Sequence, residues 1–454
     1  MKMETAKSFI LIVLIGISLL LTFGLWSYQP DIPSVSDKPV NEAVDIGGKD
    51  NEEKRTVIEP REVVFHIGDH HYGFVDPLKR EALYEQMQTW PISNLETRLV
   101  SGRTPNENEV EVIFPSELPM EILKSIMKIT DVNVAMPNWS FDRMYFAFHP
   151  DNKSIQIEIL SIDGRNEATA VINESSYYDK LWSYFQLEDD SLLKEYLSLD
   201  QTAKPIYIPM DAENIRKQSI TYSLIDVPNQ LIEVLFQDPS IVSRTYSSET
   251  GDTYYTDSQR GMHVYGNSER MEFVNPYSED SIEDDQTAAD ILTNSIADIN
   301  SHFGWTDEYY LMDINAKENS VRYQMYYGEY PIYNAFNLSY IDQKWINQRL
   351  SEYSRPLFQL NNPLGGSTVE LMSGQNLVAY LTNNRNYNLE NIQDIRVGYR
   401  LVYYYDDDES DESRTSGSNA KDRVIELIPG WFKLENGEWN EINLTEDQLL
   451  KGGD

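Results

Sequence analysis

The chain has 454 residues, no cysteine and a formal charge of −37, from 37 basic and 74 acidic side chains. That balance excludes nucleic acid and anionic lipid headgroups as electrostatic partners, because the surface repels both. The missing thiols exclude disulfides, cysteine-ligated zinc, iron–sulfur clusters and thiol nucleophiles, and an aromatic share of 12% supplies too much core material for global disorder. The acidic excess reads first as adaptation to salty or alkaline surroundings, and second as attraction for cations or a basic partner face.

From the N-terminus, the first element is Phe9–Trp26, an apolar run without a charge. At about 1.5 Å per helical residue it is close to the thickness of a bilayer core. Lys2 and Lys7 precede it and an acidic chain follows, so the positive-inside rule puts residues 1–7 in the cytoplasm, 8–26 in the membrane and the rest outside. A cleaved signal peptide is the alternative, but its apolar region is shorter and ends at a small-x-small site. Here the run ends in LWSYQPD, where Trp26 and Tyr28 suit a headgroup belt. Ser8, Leu11, Ile15, Ser18, Thr22 and Leu25 fall on one helical stripe. Within it Ser18 and Thr22 form a small-xxx-small pair that lets a second helix approach, although one such pair is common in any apolar span.

Residues 27–58 carry Pro30, Pro33, Pro39 and a Gly47-Gly48 pair with no apolar period, which predicts a flexible spacer. A first domain over 59–204 mixes helices and strands. Strands are expected at Val63–Ile67, Met144–His149 and Ser154–Ile162, and Asp76-Pro77 caps a helix running to about Trp90. Further helical segments are expected near Ile122–Met127, Tyr177–Phe185 and Ser191–Leu197. A second domain over 205–350 opens with short strands at Thr221–Ile225, Ile232–Phe236, Ile241–Tyr246, Thr253–Tyr255, Met262–Tyr265 and Met271–Val274, a run of antiparallel hairpins. A helix at Ala288–Phe303, strands at Glu308–Asp313 and Val321–Tyr327, and Pro331 follow. The third domain, 351–454, echoes that order with a helix near Asn376–Leu381, strands at Ile395–Tyr405 and Val424–Leu427, and Pro429 with Trp431. Asn436-Gly437 signals a two-residue hairpin, and the acidic run Asp406–Glu412 a long loop.

Candidate chemistry is sparse. His66, Asp69, His70 and His71 cluster in FHIGDHHYG, but on strand and turn rather than on the single helical face that zinc motifs use, so they read as structural or surface histidines before a metal site. Asp406–Glu412 lacks the alternating pattern and central glycine of a calcium loop. Ser125/Lys128 and Ser191/Lys194 match S-x-x-K without its companion elements and read as ordinary amphipathic segments. No catalytic residue, cofactor site or metal site is assigned.

Three stretches together resemble the YycH family of accessory proteins of the WalK/WalR (YycG/YycF) two-component system in Gram-positive bacteria: LTFGLWSYQP at Leu21–Pro30, the segment from Phe236 to Pro276, and HFGWTDEYYL at His302–Leu311. The resemblance spans the full length. It implies a non-enzymatic regulator with one transmembrane helix and an extracytoplasmic part whose last two domains are YycI-like. It also implies partnership with a YycI-like protein and a WalK/YycG-like sensor histidine kinase, and control of cell-wall metabolism. The expected fold is α+β: a single N-terminal transmembrane helix plus a multidomain extracytoplasmic region of mostly antiparallel sheets with packed helices. An exported cell-wall hydrolase, or a module binding wall polymer or cations, is the rival reading.

Overall fold

The structure, a computed structural model, describes residues 45–131, 134–187, 191–199, 204–225, 229–236, 238–266, 269–276, 286–403 and 423–444. The expected anchor at 8–26, with Ser18 and Thr22, and the acidic run Asp406–Glu412 lie outside these residues. Among the described residues no helix is long and apolar enough to cross a membrane.

A four-residue helix α1 (Lys54–Val57) precedes the first sheet. That sheet has nine strands: β1 (Glu62–Ile67), β2 (His70–Phe74), β3 (Ser93–Leu99), β4 (Asn108–Pro119), β5 (Ser140–His149), β6 (Ser154–Leu160), β7 (Asn166–Ile172), β8 (Leu193–Leu199) and β9 (Ile206–Pro209). Their order is β3-β7-β6-β5-β4-β1-β2-β8-β9, antiparallel throughout. The period of two shows in β6, where Ile155, Ile157 and Ile159 are buried. Helix α2 (Pro77–Thr89) starts as its sequence dictates: Asp76 accepts from the Leu78 amide at 3.1 Å, and proline fills the first turn, where no amide proton is needed. Its Leu83, Tyr84 and Met87 are buried, with Tyr84 edge-on to Phe114. Helices α3 (Leu123–Ile126) and α4 (Ser175–Ser183) add Ile126 and Leu181 to the same core.

After α5 (Asn229–Leu235), most of the chain to its last described residues builds one fourteen-stranded sheet. A separate pair, β10 (Glu213–Arg216) with β22 (Thr368–Leu371), sits beside it. The large sheet contains β11 (Gln218–Leu224), β12 (Ser243–Tyr246), β13 (Thr253–Thr256), β14 (Gly261–Val264), β15 (Arg270–Val274), β16 (Glu308–Asn315), β17 (Ser320–Tyr327), β18 (Tyr330–Tyr333), β19 (Tyr340–Ile346), β20 (Arg349–Pro356), β21 (Phe358–Gly365), β23 (Ile392–Tyr403), β24 (Val424–Glu435) and β25 (Glu438–Glu441). Helix α6 (Ala288–Ser301) carries a Thr287–Asp290 capping box and buries Ile291, Leu292, Ile296 and Ile299. Helix α7 (Gly374–Asn383) is capped by Ser373. The repeated order of helix and paired strands is present, and β18 and β23, one from each unit, pair in parallel through Ile332 and Tyr399. Asn436 and Gly437 take φ of 54° and 79° between β24 and β25, the positive values that a two-residue hairpin requires.

Four expectations need correction. Ser191–Leu197 is not a helix: Leu193–Leu199 is strand β8, held between β2 and β9. Its three-residue spacing of buried positions imitates a helix, and cross-strand pairing overrides it. Ile232–Phe236 is not a strand but the end of α5, where Leu231, Ile232, Leu235 and Phe236 are buried at helical spacing. The spacer does not reach Ile58, because Ile46, Val57 and Ile58 are buried. The division at 350/351 cuts through β20, where residue 350 lies, while β9 completes the first sheet a few residues past 204/205. The described fold is sheet-rich α+β in two halves, and one buried cluster runs from Phe65 in the first sheet to Tyr323 in the second.

Candidate functional site: the charged seam between the sheets

Before its first strand, the chain crosses the second half as a strap. Ile46 N donates to His302 O at 3.3 Å, Gly48 N to Phe303 O at 3.0 Å and Lys49 N to Trp305 O at 3.0 Å. Asn300 closes the clasp: its Oδ1 accepts from Glu52 N (3.2 Å) and Trp305 Nε1 (2.7 Å), and its Nδ2 donates to Glu52 O (2.8 Å). Gly48 is obligatory, since a Cβ there would lie 2.4 Å from the Trp305 carbonyl.

The strap leads to a cleft between the halves with a volume of about 100 Å³. Its walls are charged and rich in tyrosine. Arg61, just before β1, and Arg396, on β23, both pair with Asp394, the latter at 3.1 Å. Burial alone would raise the Asp394 carboxyl, but the two guanidinium groups outweigh it and hold it below its ordinary value. Arg396 also lies 4.1 Å from the centre of the Trp439 ring. Lys194 pairs with Glu213, and Tyr196 Oη donates to Glu62 at 3.2 Å. Arg80 donates to Arg61 O at 3.2 Å and lies 3.8 Å from Glu329 on the β17–β18 turn. Burial first, and Glu81 second, push Glu59 up to about 9 against the opposing pull of Arg80.

Of the histidines of FHIGDHHYG, His66 and His71 meet across the β1–β2 pair and His70 does not join them. The Nδ1 atoms of His66 and His71 lie 2.8 Å apart, a distance that requires one to carry the proton. His66 Nε2 meets Glu111 Oε2 at 2.9 Å, and Arg143 Nη1 meets Glu111 Oε1 at 2.5 Å. His70 turns away to Glu195. Among the described residues no three His, Asp or Glu groups are placed to hold a metal ion. Of the S-x-x-K matches, Ser125 lies in α3, and Lys194 is occupied by Glu213.

Burial alone would raise Glu111, yet the His66 hydrogen bond and the Arg143 charge hold it at about 2, below its ordinary 4.5. A depressed carboxylate contributes stability that is present above about pH 4.5 and lost as pH falls toward 2. Glu111→Gln is therefore expected to cost about 2–3 kcal/mol at neutral pH, since Arg143 loses its partner, and to flatten the acid limb of a stability–pH curve from urea unfolding. An unchanged acid limb would sink this account.

The ion pairs of the seam were beyond the reach of sequence reasoning. Arg61 and Asp394 are 333 positions apart, and nothing local marks either. The one usable signal was Gly48, inside the expected spacer but fitted against the Trp305 of HFGW.

Two sheets, antiparallel but for the β18–β23 pairing and clasped by a strap and a seam of buried charge, define a sheet-rich α+β class of protein. Sequence models described as the YycH protein N-terminal and C-terminal domains match residues 4–190 and 203–448. The chain belongs to the YycH family. It is 23% identical to the Two-component system WalR/WalK regulatory protein YycH of Bacillus subtilis (strain 168), an alignment covering 100% of this chain and 99% of that protein. The crystal structure of YycH from Bacillus subtilis superposes with a TM-score of 0.68 at 19% identity, covering 89% of this chain and 100% of that one, which shows the shared fold.

Proposed function

We propose that this chain is a membrane-anchored, non-enzymatic regulator of a WalK/YycG-like sensor histidine kinase, acting on cell-wall metabolism. The observation that carries the reading is the end-to-end similarity to a protein named as a WalR/WalK regulator. In this proposal residues 8–26 span the cell membrane once, with the N-terminus cytoplasmic and the bulk of the chain outside. The partners are the kinase and a YycI-like protein, and the two C-terminal units are the YycI-like part. Ser18 and Thr22 supply the close helix approach inside the bilayer. Regulation then requires that the bound chain favour one kinase state over another, and a difference of about 1.4 kcal/mol changes that population ratio tenfold.

Exchanging residues 1–30 for an unrelated membrane span is expected to abolish co-purification with the kinase and to change transcription of its target genes. Unaltered capture and unaltered transcription would overturn the membrane-contact part, and a secreted, shortened product that regulates normally would overturn the anchor.

A further inference from the structure

Between Asp45 and Ile58 the chain is held at two places, and the two grips differ in kind. At the far end Val57 and Ile58 are fully buried, and helix α1, which contains Val57, packs against α3, β16 and α6. That end is rooted where the two halves meet. At the near end one apolar side chain, Ile46, is buried, while Asp45, Gly47, Lys49, Asp50 and Asn51 are exposed. The rest of that grip is the backbone bonds to His302, Phe303 and Trp305, on the α6–β16 connection, and the two bonds between Asn300 and Glu52.

The near end closes through glycine. Gly47 sits at φ 97°, and its amide donates to Asp45 Oδ1 at 2.7 Å, which turns the chain toward Gly48 and the Trp305 carbonyl. Two adjacent glycines give up more backbone freedom on docking than any other pair, so the contact that needs them is costly to hold. Segments with few buried apolar contacts and exposed hydrogen bonds open before the core does. Nor is the near end walled in. A groove of about 370 Å³, lined by Asp45, Ile46 and Gly47 on one side and by Ser223, Ile225 and Gln359 on the other, runs beside it.

We propose that residues 45–52 are a releasable clasp that sets where the membrane tether pulls on the folded body, and that its docked and released forms are the states through which kinase control is exerted. This rests on the anchored-regulator reading above. With the clasp docked, the tether leaves the body at the α6–β16 connection. With it released, the tether leaves at α1, where the halves meet, and the freed stretch Ile46–Glu52 adds at most about 25 Å of reach. A kinase touched both inside the bilayer and outside it binds the two forms differently, because a linker that cannot span two sites contributes no avidity. Such a difference in affinity is what shifts the kinase from one state to the other.

The test uses the full-length protein reconstituted with the sensor kinase in proteoliposomes, with kinase autophosphorylation as the readout. Gly48→Val blocks the close approach to Trp305, and Ile46→Ser removes the one buried side chain of the clasp without touching the core beneath it. Both are expected to change autophosphorylation by at least about threefold in one common direction, with faster exchange at the Lys49 amide and unchanged far-UV circular dichroism. The chain has no cysteine, so Asp45→Cys with Ser223→Cys, two positions on the same groove, can be bridged by a short cleavable bis-thiosulfonate. In the Ile46→Ser background the bridge is expected to restore wild-type output, and cleaving it to abolish the rescue. Wild-type output from both unfastened variants would overturn the clasp, and so would a change that the bridge does not reverse. If exchange of residues 1–30 still abolishes regulation in those cases, the anchored regulator stands without its clasp; if that exchange has no effect, both fall.

Discussion

Asp394→Ala is expected to be the most damaging single change at the seam. Asp394 is 4% exposed and receives both Arg61 and Arg396. Truncating it leaves two buried guanidinium groups without a counter-charge, and removal of one member of such a group costs about 3–5 kcal/mol. Arg61 belongs to the first half and Arg396 to the second, so the loss should fall on the contact between halves. Denaturant unfolding of the purified full-length protein measures it, and hydrogen exchange at Arg61–Glu62 and Ile395–Val397 locates it. Asp394→Asn is the control that keeps volume and one acceptor. Replacing all three groups with apolar residues of matching size should restore much of the stability, since a buried ion pair often adds little over good packing. A loss below about 1 kcal/mol for Asp394→Ala would show that water reaches the arginines after all.

Trp305→Ala is expected to cost a similar amount, about 3–5 kcal/mol for a fully buried indole. Trp305 is 2% exposed, stands edge-on to Tyr323 at 4.9 Å and donates to Asn300. Its second effect is specific. Its carbonyl holds Lys49 and its ring fixes Asn300, which grips Glu52, so the strap should loosen. The amides of Ile46, Gly48 and Lys49 should exchange faster than global unfolding explains. Gly48→Val separates the two effects. It forces the strap away from the Trp305 carbonyl while leaving the indole in the core, so these amides should lose protection with little global destabilisation. Unchanged exchange in Gly48→Val would mean that the strap contributes nothing as a clasp.

Much of the local structure was legible because it rests on neighbours in the chain. Asp76-Pro77 opens α2 where the amide proton is dispensable, and Asn436-Gly437 turns β24 into β25 because both positions need positive φ. Segments with mixed periodicity were not legible. Leu193–Leu199 has buried residues at every third position and is a strand only because β2 and β9 lie on either side. Ile232–Phe236 is short and apolar, which suits either state until the surrounding core selects the helix.

The candidate site divides the same way. His66, His70 and His71 were visible as a cluster, but His66 is paired across the strands with His71 and shares its face, while His70, next to His71 on β2, points to the other face. His66 therefore goes inward to Glu111 and His70 outward to Glu195. Arg61 and Asp394 carry no mark in one dimension because charge is everywhere in so acidic a chain.

By itself, the sequence determined what depends on composition and short-range geometry: an acidic, cysteine-free, aromatic-rich α+β chain with capped helices and tight hairpins, resembling the YycH family. Tertiary structure alone decided which charges are buried together, that residues 45–58 form a strap rather than a spacer, and where one sheet ends and the next begins. The reason is that burial and pairing are properties of distance in space. Contacts separated by hundreds of residues are set only when the whole core closes.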